Sequence, residues 1–287
     1  MSTSMVIGIH GLKNKPEKDL LARWWVMSLQ EGLQRNFVLA PPFTFELVYW
    51  ADIQYSTPIP EAELDNPYIT ADGQGPLLRY SGTALDTANA IVGKWGGRAI
   101  DKGKDLIGLD EHVDHLLGLA FDDLRDYYGK PDVRNRVRNR LAHALQGHQD
   151  MRICLVAHSM GSIIAYDVLR MLEHDLPEIE HFVTIGSPLG LPIVTQHVRE
   201  EFSNTLVPQQ VQRWSNLADP GDRIALDCSL RDDYRSTSGG IRVQDELVHN
   251  DYVDRAGKSD QHNAYGYLRT PELSDIIRGF LGSGNAV

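Results

Sequence analysis

Met151-Arg-Ile-Cys-Leu-Val-Ala-His-Ser-Met-Gly161 is the stretch that decides the fold. An apolar, β-type run delivers Ser159 onto a turn, with Ala157 two residues before it and Gly161 two after. A serine held at a sharp strand-to-helix turn exposes its Oγ only where those flanking positions are small, because larger side chains would bring Cβ atoms into collision. Alanine at 157 departs from the commoner glycine. The next residues, SIIAYDVLRML, put Ile164, Val168, Leu169 and Leu172 at helical spacing. Strand, turn and helix therefore follow in the order a nucleophile needs. A serine in an ordinary βα turn is the plainer reading, and the two legible flanking elements weigh against it.

A second signal lies near the start. Residues 5–9, MVIGI, form a short apolar run that stops at His10-Gly11-Leu12 and is followed by an amphipathic stretch near Glu17 to Leu33. Attack by a serine on a carbonyl needs two N–H groups aimed at the oxygen that becomes negative, and a glycine lets the backbone come close. Leu12 and Met160 are placed to supply them, with His10, Gly11, His158 and Gly161 in support. His10 alone is equally well read as a buried histidine bonded to its own loop.

These two segments resemble the α/β-hydrolase superfamily, in particular its lipase and serine-esterase branch. His181-Phe-Val-Thr-Ile-Gly-Ser-Pro-Leu-Gly190 is similar to the strand and loop after the nucleophile helix in lipases and in GPI-inositol-deacylase-like proteins, where a T-x-G-S/T-P element recurs. Residues 212–225 resemble the strand and loop that carry the acid, and Asp260 to Tyr267 the loop that carries the histidine. The likeness spans residues 1–55 and 130–287. It implies a doubly wound, mostly parallel sheet, an acyl-enzyme chemistry, and a triad in the chain order serine, acid, histidine. Of the eleven histidines, that order leaves His249 and His262. His262 is preferred because it sits in a polar loop before the last helix, which Thr270, Pro271 and Glu272 open; His249 is the alternative. For the acid, Asp219 precedes Pro220 and a turn, whereas Asp222 leads into Arg-Ile-Ala, similar to the Asp-x-Val-Pro or Asp-x-Val-Ala step of lipases. The preference is Asp222, with Asp219 as the alternative.

Composition fits one α/β domain spanning residues 1–287, with five tryptophans and 42% hydrophobic residues. A net charge of -11 argues against a nucleic-acid partner. Arg134, Arg136, Arg138 and Arg140 read as the solvated flank of a helix whose apolar face is Val133, Val137, Leu141 and Leu145. The two cysteines suit a reducing compartment. With no export signal legible and no run of membrane-spanning length, a cytoplasmic chain without stable membrane insertion is expected, signal-less secretion being the other route. The oligomeric state stays open.

Strands are expected near 5–9, 44–50, 152–157, 181–185, 210–215 and 241–248, and helices near 17–34, 132–146, 161–173 and 271–281. Too much chain separates the second strand from the next helix for a simple crossover, so residues 56–130 are expected to form an inserted, helical cap. Leu116, Leu117, Leu119, Phe121, Leu124, Tyr127 and Tyr128 would there be either a lipid-accepting wall or a small core. Trp24 and Trp25 are assigned to packing of the first helix. Taken together these readings describe a hydrolase of carboxylic esters (lipid, small ester or thioester) that needs no metal or organic cofactor. The alternatives are an acyltransferase with the same residues and a non-catalytic binding protein of this fold.

Overall fold

The computed structural model describes residues 3–37, 41–73, 75–82, 123–225, 228–236 and 239–282. Six strands form one sheet in the order β2-β1-β3-β4-β5-β6. They are β1 (Ser4–Ile9), β2 (Thr44–Val48), β3 (Arg152–His158), β4 (Ile179–Ile185), β5 (Trp214–Ala218) and β6 (Val243–Leu247). Every neighbouring pair is parallel. Parallel strands need crossovers, and the helices that supply them cover both faces, which is why β3 and β5 can be apolar or buried along their length.

Alternate strand residues serve opposite layers. On one face Ile7, Ile9, Leu155, Ala157 and Phe182 pack under helices α2 (Pro131–Gln146), α3 (Met160–Met171) and α4 (Pro192–Phe202). On the other, Val6, Cys154, Val156, Val183 and Ile185 pack under α1 (Lys18–Asn36), α5 (Ala264–Leu268) and α6 (Pro271–Gly282). Trp24 and Trp25 lie in this second layer. Thr270 starts α6 as expected, its Oγ1 accepting the Leu273 N–H at 3.3 Å.

Three expectations need correction. The strand expected at 210–215 occupies 214–218. Residues 208–211 form a turn closed by the Val211 N–H on Pro208 O. Ser215 and Asn216, polar enough to read as loop, are buried in the sheet because His181, Thr184 and Asp245 satisfy them. Arg138 is not on a solvated flank. It is 3% exposed and paired with Asp167, itself 1% exposed, at 2.6 Å, with the Tyr127 hydroxyl and Glu201 completing the cluster. Helix α4, absent from the sequence reading, starts at Pro192, whose fixed φ suits the first helical position.

The described residues 56–73 and 75–82 run as an irregular strap with a 3-10 turn at Glu61–Glu63. Arg35 of α1 holds the strap by the carbonyls of Ala71, Asp72 and Gly75. Most of the expected cap, with Leu116, Leu117, Leu119 and Phe121, falls outside the described residues. Residues 123–129 are helical, and there Leu124 and Tyr127 pack into the main core rather than forming a wall. Among the described residues no helix is long and apolar enough to cross a membrane.

Candidate active site

In a sheet of this order the crossovers leave β1 in opposite directions on its two sides, so a crevice opens beyond the carboxyl ends of β1 and β3. Ile9, the last residue of β1, is in register with Ala157, the last but one of β3. His10 and His158-Ser159 therefore emerge side by side.

Ser159 adopts φ 53°, ψ -130°, a conformation that costs a non-glycine residue about 1–3 kcal/mol and persists only where its surroundings impose it. Its N–H donates to Ile185 O at 3.1 Å. Behind it a Cβ on Gly161 would stand 2.6 Å from Ile9 O. In front, a Cβ on Gly11 would stand 2.6 Å from Ser159 Cβ and 3.2 Å from its Oγ. Both glycines are thus required by close approach rather than by flexibility, and the loop after β1 lies flat against the serine.

That loop is tied on several sides. The His10 ring donates from Nδ1 to Gly11 O at 2.8 Å, accepts the Trp50 N–H on Nε2 at 3.0 Å, and stacks on the Trp50 indole at 4.9 Å. Burial holds His10 well below the usual imidazole range, which fixes it neutral. Lys13 has φ 70°, and its N–H donates to Asp123 Oδ2 at 2.9 Å. The Lys15 ammonium donates to Leu12 O, and burial, with Lys13 nearby, pushes its pKa down to about 8. Met160 opens α3, where first-turn N–H groups have no acceptor inside the helix.

His262 comes from the loop between β6 and α5. Its Nε2 is 2.9 Å from Ser159 Oγ, and its Nδ1 is 3.0 and 2.9 Å from the two carboxylate oxygens of Asp222. Asp222 is fully buried. Its Oδ1 accepts the N–H groups of Ile224 at 2.9 Å and Ala225 at 3.3 Å, and its Oδ2 accepts the Tyr267 hydroxyl at 2.8 Å. Burial works to raise the Asp222 pKa, but His262 and these donors outweigh it and hold the carboxyl below its usual value. Burial likewise works to lower His262, and the Asp222 carboxylate outweighs it, so the imidazole titrates above its ordinary 6.5.

The alternatives lie elsewhere. Asp219 directly follows β5 and spends its carboxylate on the N–H groups of Gly221 and Asn250, each at 2.6 Å. His249 is exposed beyond β6. Ser162 and Ser187 bond each other at 2.7 Å, and Ser162 Oγ also donates to Ser159 O. His158 donates from Nε2 to His262 O at 2.8 Å; burial and the charge of His262 take its pKa down to about 3, so it anchors the histidine loop as a neutral ring.

Two contributors escaped the sequence reading. Gly186, the glycine of the T-x-G-S-P element, has φ 54°, and a Cβ there would meet Tyr267 Cε2 at 2.9 Å, Asp222 Oδ2 at 3.0 Å and His262 Nδ1 at 3.3 Å. Tyr267 reaches Asp222 from a short helix whose apolar pattern signals only packing. Among the described residues no group of three or more His, Cys, Asp or Glu is placed to hold a metal ion.

Residues 124–264 match the family model described as "PGAP1-like alpha/beta domain". Comparison with curated proteins and with solved structures gives no significant match. The matched span runs from the helical stretch before α2 to the start of α5 and so includes β3 with its serine turn, while β1 and β2 complete the parallel sheet outside it. The matched span is just under half of the chain, and with the all-parallel six-stranded sheet it makes the chain similar to PGAP1-like alpha/beta domains, on a fold of the α/β-hydrolase type.

Proposed function

We propose that the chain hydrolyses carboxylic esters through an acyl-enzyme on Ser159. The observation that carries this reading is the continuous hydrogen-bonded line from Ser159 Oγ to His262 to Asp222, built on a serine held at positive φ. Ser159 attacks the acyl carbonyl as His262 Nε2 takes its proton, and Asp222 holds the imidazole in the tautomer that leaves Nε2 free to accept. The N–H groups of Leu12 and Met160 receive the developing oxyanion, and removing one such donor commonly costs about 10²–10³ in turnover. His262 then protonates the leaving alcohol. Water, activated by the same ring, releases the acid.

The substrate class is a small-molecule or lipid ester, consistent with the lipase-type family, and thioesters suit the same machinery. The test is a panel of chromogenic esters of increasing acyl length, with a thioester and an amide, run on wild type and Ser159→Ala alongside a fluorophosphonate probe. Labelling at Ser159, and loss of both labelling and turnover in Ser159→Ala, is expected. Labelling at Ser162 or Ser187, or full turnover by Ser159→Ala, overturns the reading. Transfer of the acyl group to an added alcohol in preference to water would recast the protein as an acyltransferase.

A further inference from the structure

The phenol of Tyr267 joins the two aspartates of the loop after β5. Its oxygen accepts the Asp219 N–H at 2.9 Å, and it bonds Asp222 Oδ2 at 2.8 Å. A backbone N–H can only donate, so the phenol must be the acceptor in the first bond and has its one hydrogen left for the second. An ionised carboxylate can only accept. The direction of the Tyr267 to Asp222 bond is therefore set by chemistry, not by choice of rotor.

The surroundings leave that hydroxyl little freedom. Tyr267 is fully buried, its ring edge lies against Gly186, and burial with Asp222 alongside holds its pKa well above 10, so it remains a donor. Asp222 is gripped from two sides: Ile224 and Ala225 N–H groups on Oδ1, the phenol on Oδ2. Rotation of the carboxylate about its Cβ–Cγ bond would break one side or the other. His262 Nδ1, spanning both oxygens, depends on that plane being kept.

We propose that Tyr267 is a positioning residue that locks the Asp222 carboxylate in the plane of the His262 imidazole and draws off part of its negative charge. The inference rests on the ester-hydrolase reading. Tyr267→Phe keeps the ring and removes only the hydroxyl. Turnover of p-nitrophenyl acetate, expressed per site titrated with a fluorophosphonate, should fall about 10- to 100-fold, as for loss of a hydrogen bond to a charged group, with KM within about twofold. The acid limb of kcat/KM should move to higher pH, because a carboxylate that has lost a donor is a stronger partner for imidazolium. In an Asp222→Asn background the same change should alter the fluorophosphonate labelling rate by less than about twofold, since a residue that acts through Asp222 has nothing left to act on.

An unchanged kcat and acid limb in Tyr267→Phe overturns the proposal. So does an equal loss with and without the Asp222 carboxylate, which would mark packing alone. Turnover that survives Ser159→Ala is a separate result and removes the ester-hydrolase reading itself.

Discussion

Asp219 and Asp222 stand three residues apart in the same loop, are both buried, and have opposite environments. Asp222 is met by an imidazole and a phenol, whereas Asp219 is met by backbone N–H groups that hold the end of β5 to the loop after β6. Asp222→Asn should therefore cut turnover by about 10³–10⁴ while leaving substrate binding nearly intact. Asp219→Asn, which keeps one acceptor oxygen, should stay within about tenfold of wild type and show its effect as a lower melting temperature. Steady-state kinetics and thermal melts of the two variants separate these outcomes, and the reverse pattern would exchange the roles. The pH profile belongs at this scale too. On the mechanism we propose, His262 must be neutral to accept the serine proton, and its pKa is raised above 6.5, so kcat/KM should climb with pH along a limb lying above 6.5. The linked stability has its own sign: the raised pKa stabilises the fold fully below 6.5 and ceases to do so as pH rises through the folded value. His158, whose pKa is taken down to about 3, contributes no limb between pH 5 and 8.

At the scale of elements, the turn carrying Ser159 was legible because its constraint is local: small residues, a strand before and a helix after. The Asp222 and His262 loops have no such local code and were reachable only through chain order and resemblance. Gly186 and Tyr267 were hidden for another reason, since each matters through contacts 30 or more residues away along the chain, as the 45-residue separation between Tyr267 and Asp222 shows. Gly186→Ala tests this directly. A left-handed φ costs an alanine about 1–2 kcal/mol, and its Cβ would press on Asp222, Tyr267 and His262. Turnover should fall more steeply than stability, and an active enzyme with only a lowered melting temperature would show that the contact gives way. Arg138 was misread because helical periodicity places it beside Val137, and nothing local announces that Asp167 in the apolar run of α3 waits opposite. Arg138→Met should cost about 3–5 kcal/mol, because it strands a buried carboxylate, and urea unfolding measures it. Glu201→Gln, at the half-exposed rim of the same cluster, should cost far less.

For the molecule as a whole, strand order and layers followed from alternating apolar runs and helices, while the course of residues 56–73 and 75–82 did not, because that strap is fixed by backbone carbonyls held by Arg35 and by scattered side chains of no regular period, Tyr68 on Glu31 and Arg79 on Asp275 among them. One face of the sheet is closed by the first helix and the last two together. Ser28 Oγ bonds Tyr265 O, and Gly32 lies so close to Arg269 that a Cβ would stand 2.7 Å from its carbonyl oxygen. During synthesis, α1 must wait for more than two hundred residues to follow before its partners exist, leaving Trp25 and Leu29 without the neighbours that bury them. The histidine loop arrives with those same partners. A nascent chain that has not yet brought α5 and α6 out of the ribosome would thus be sticky and without its histidine loop, and reactivity toward a fluorophosphonate should appear only once those helices have emerged.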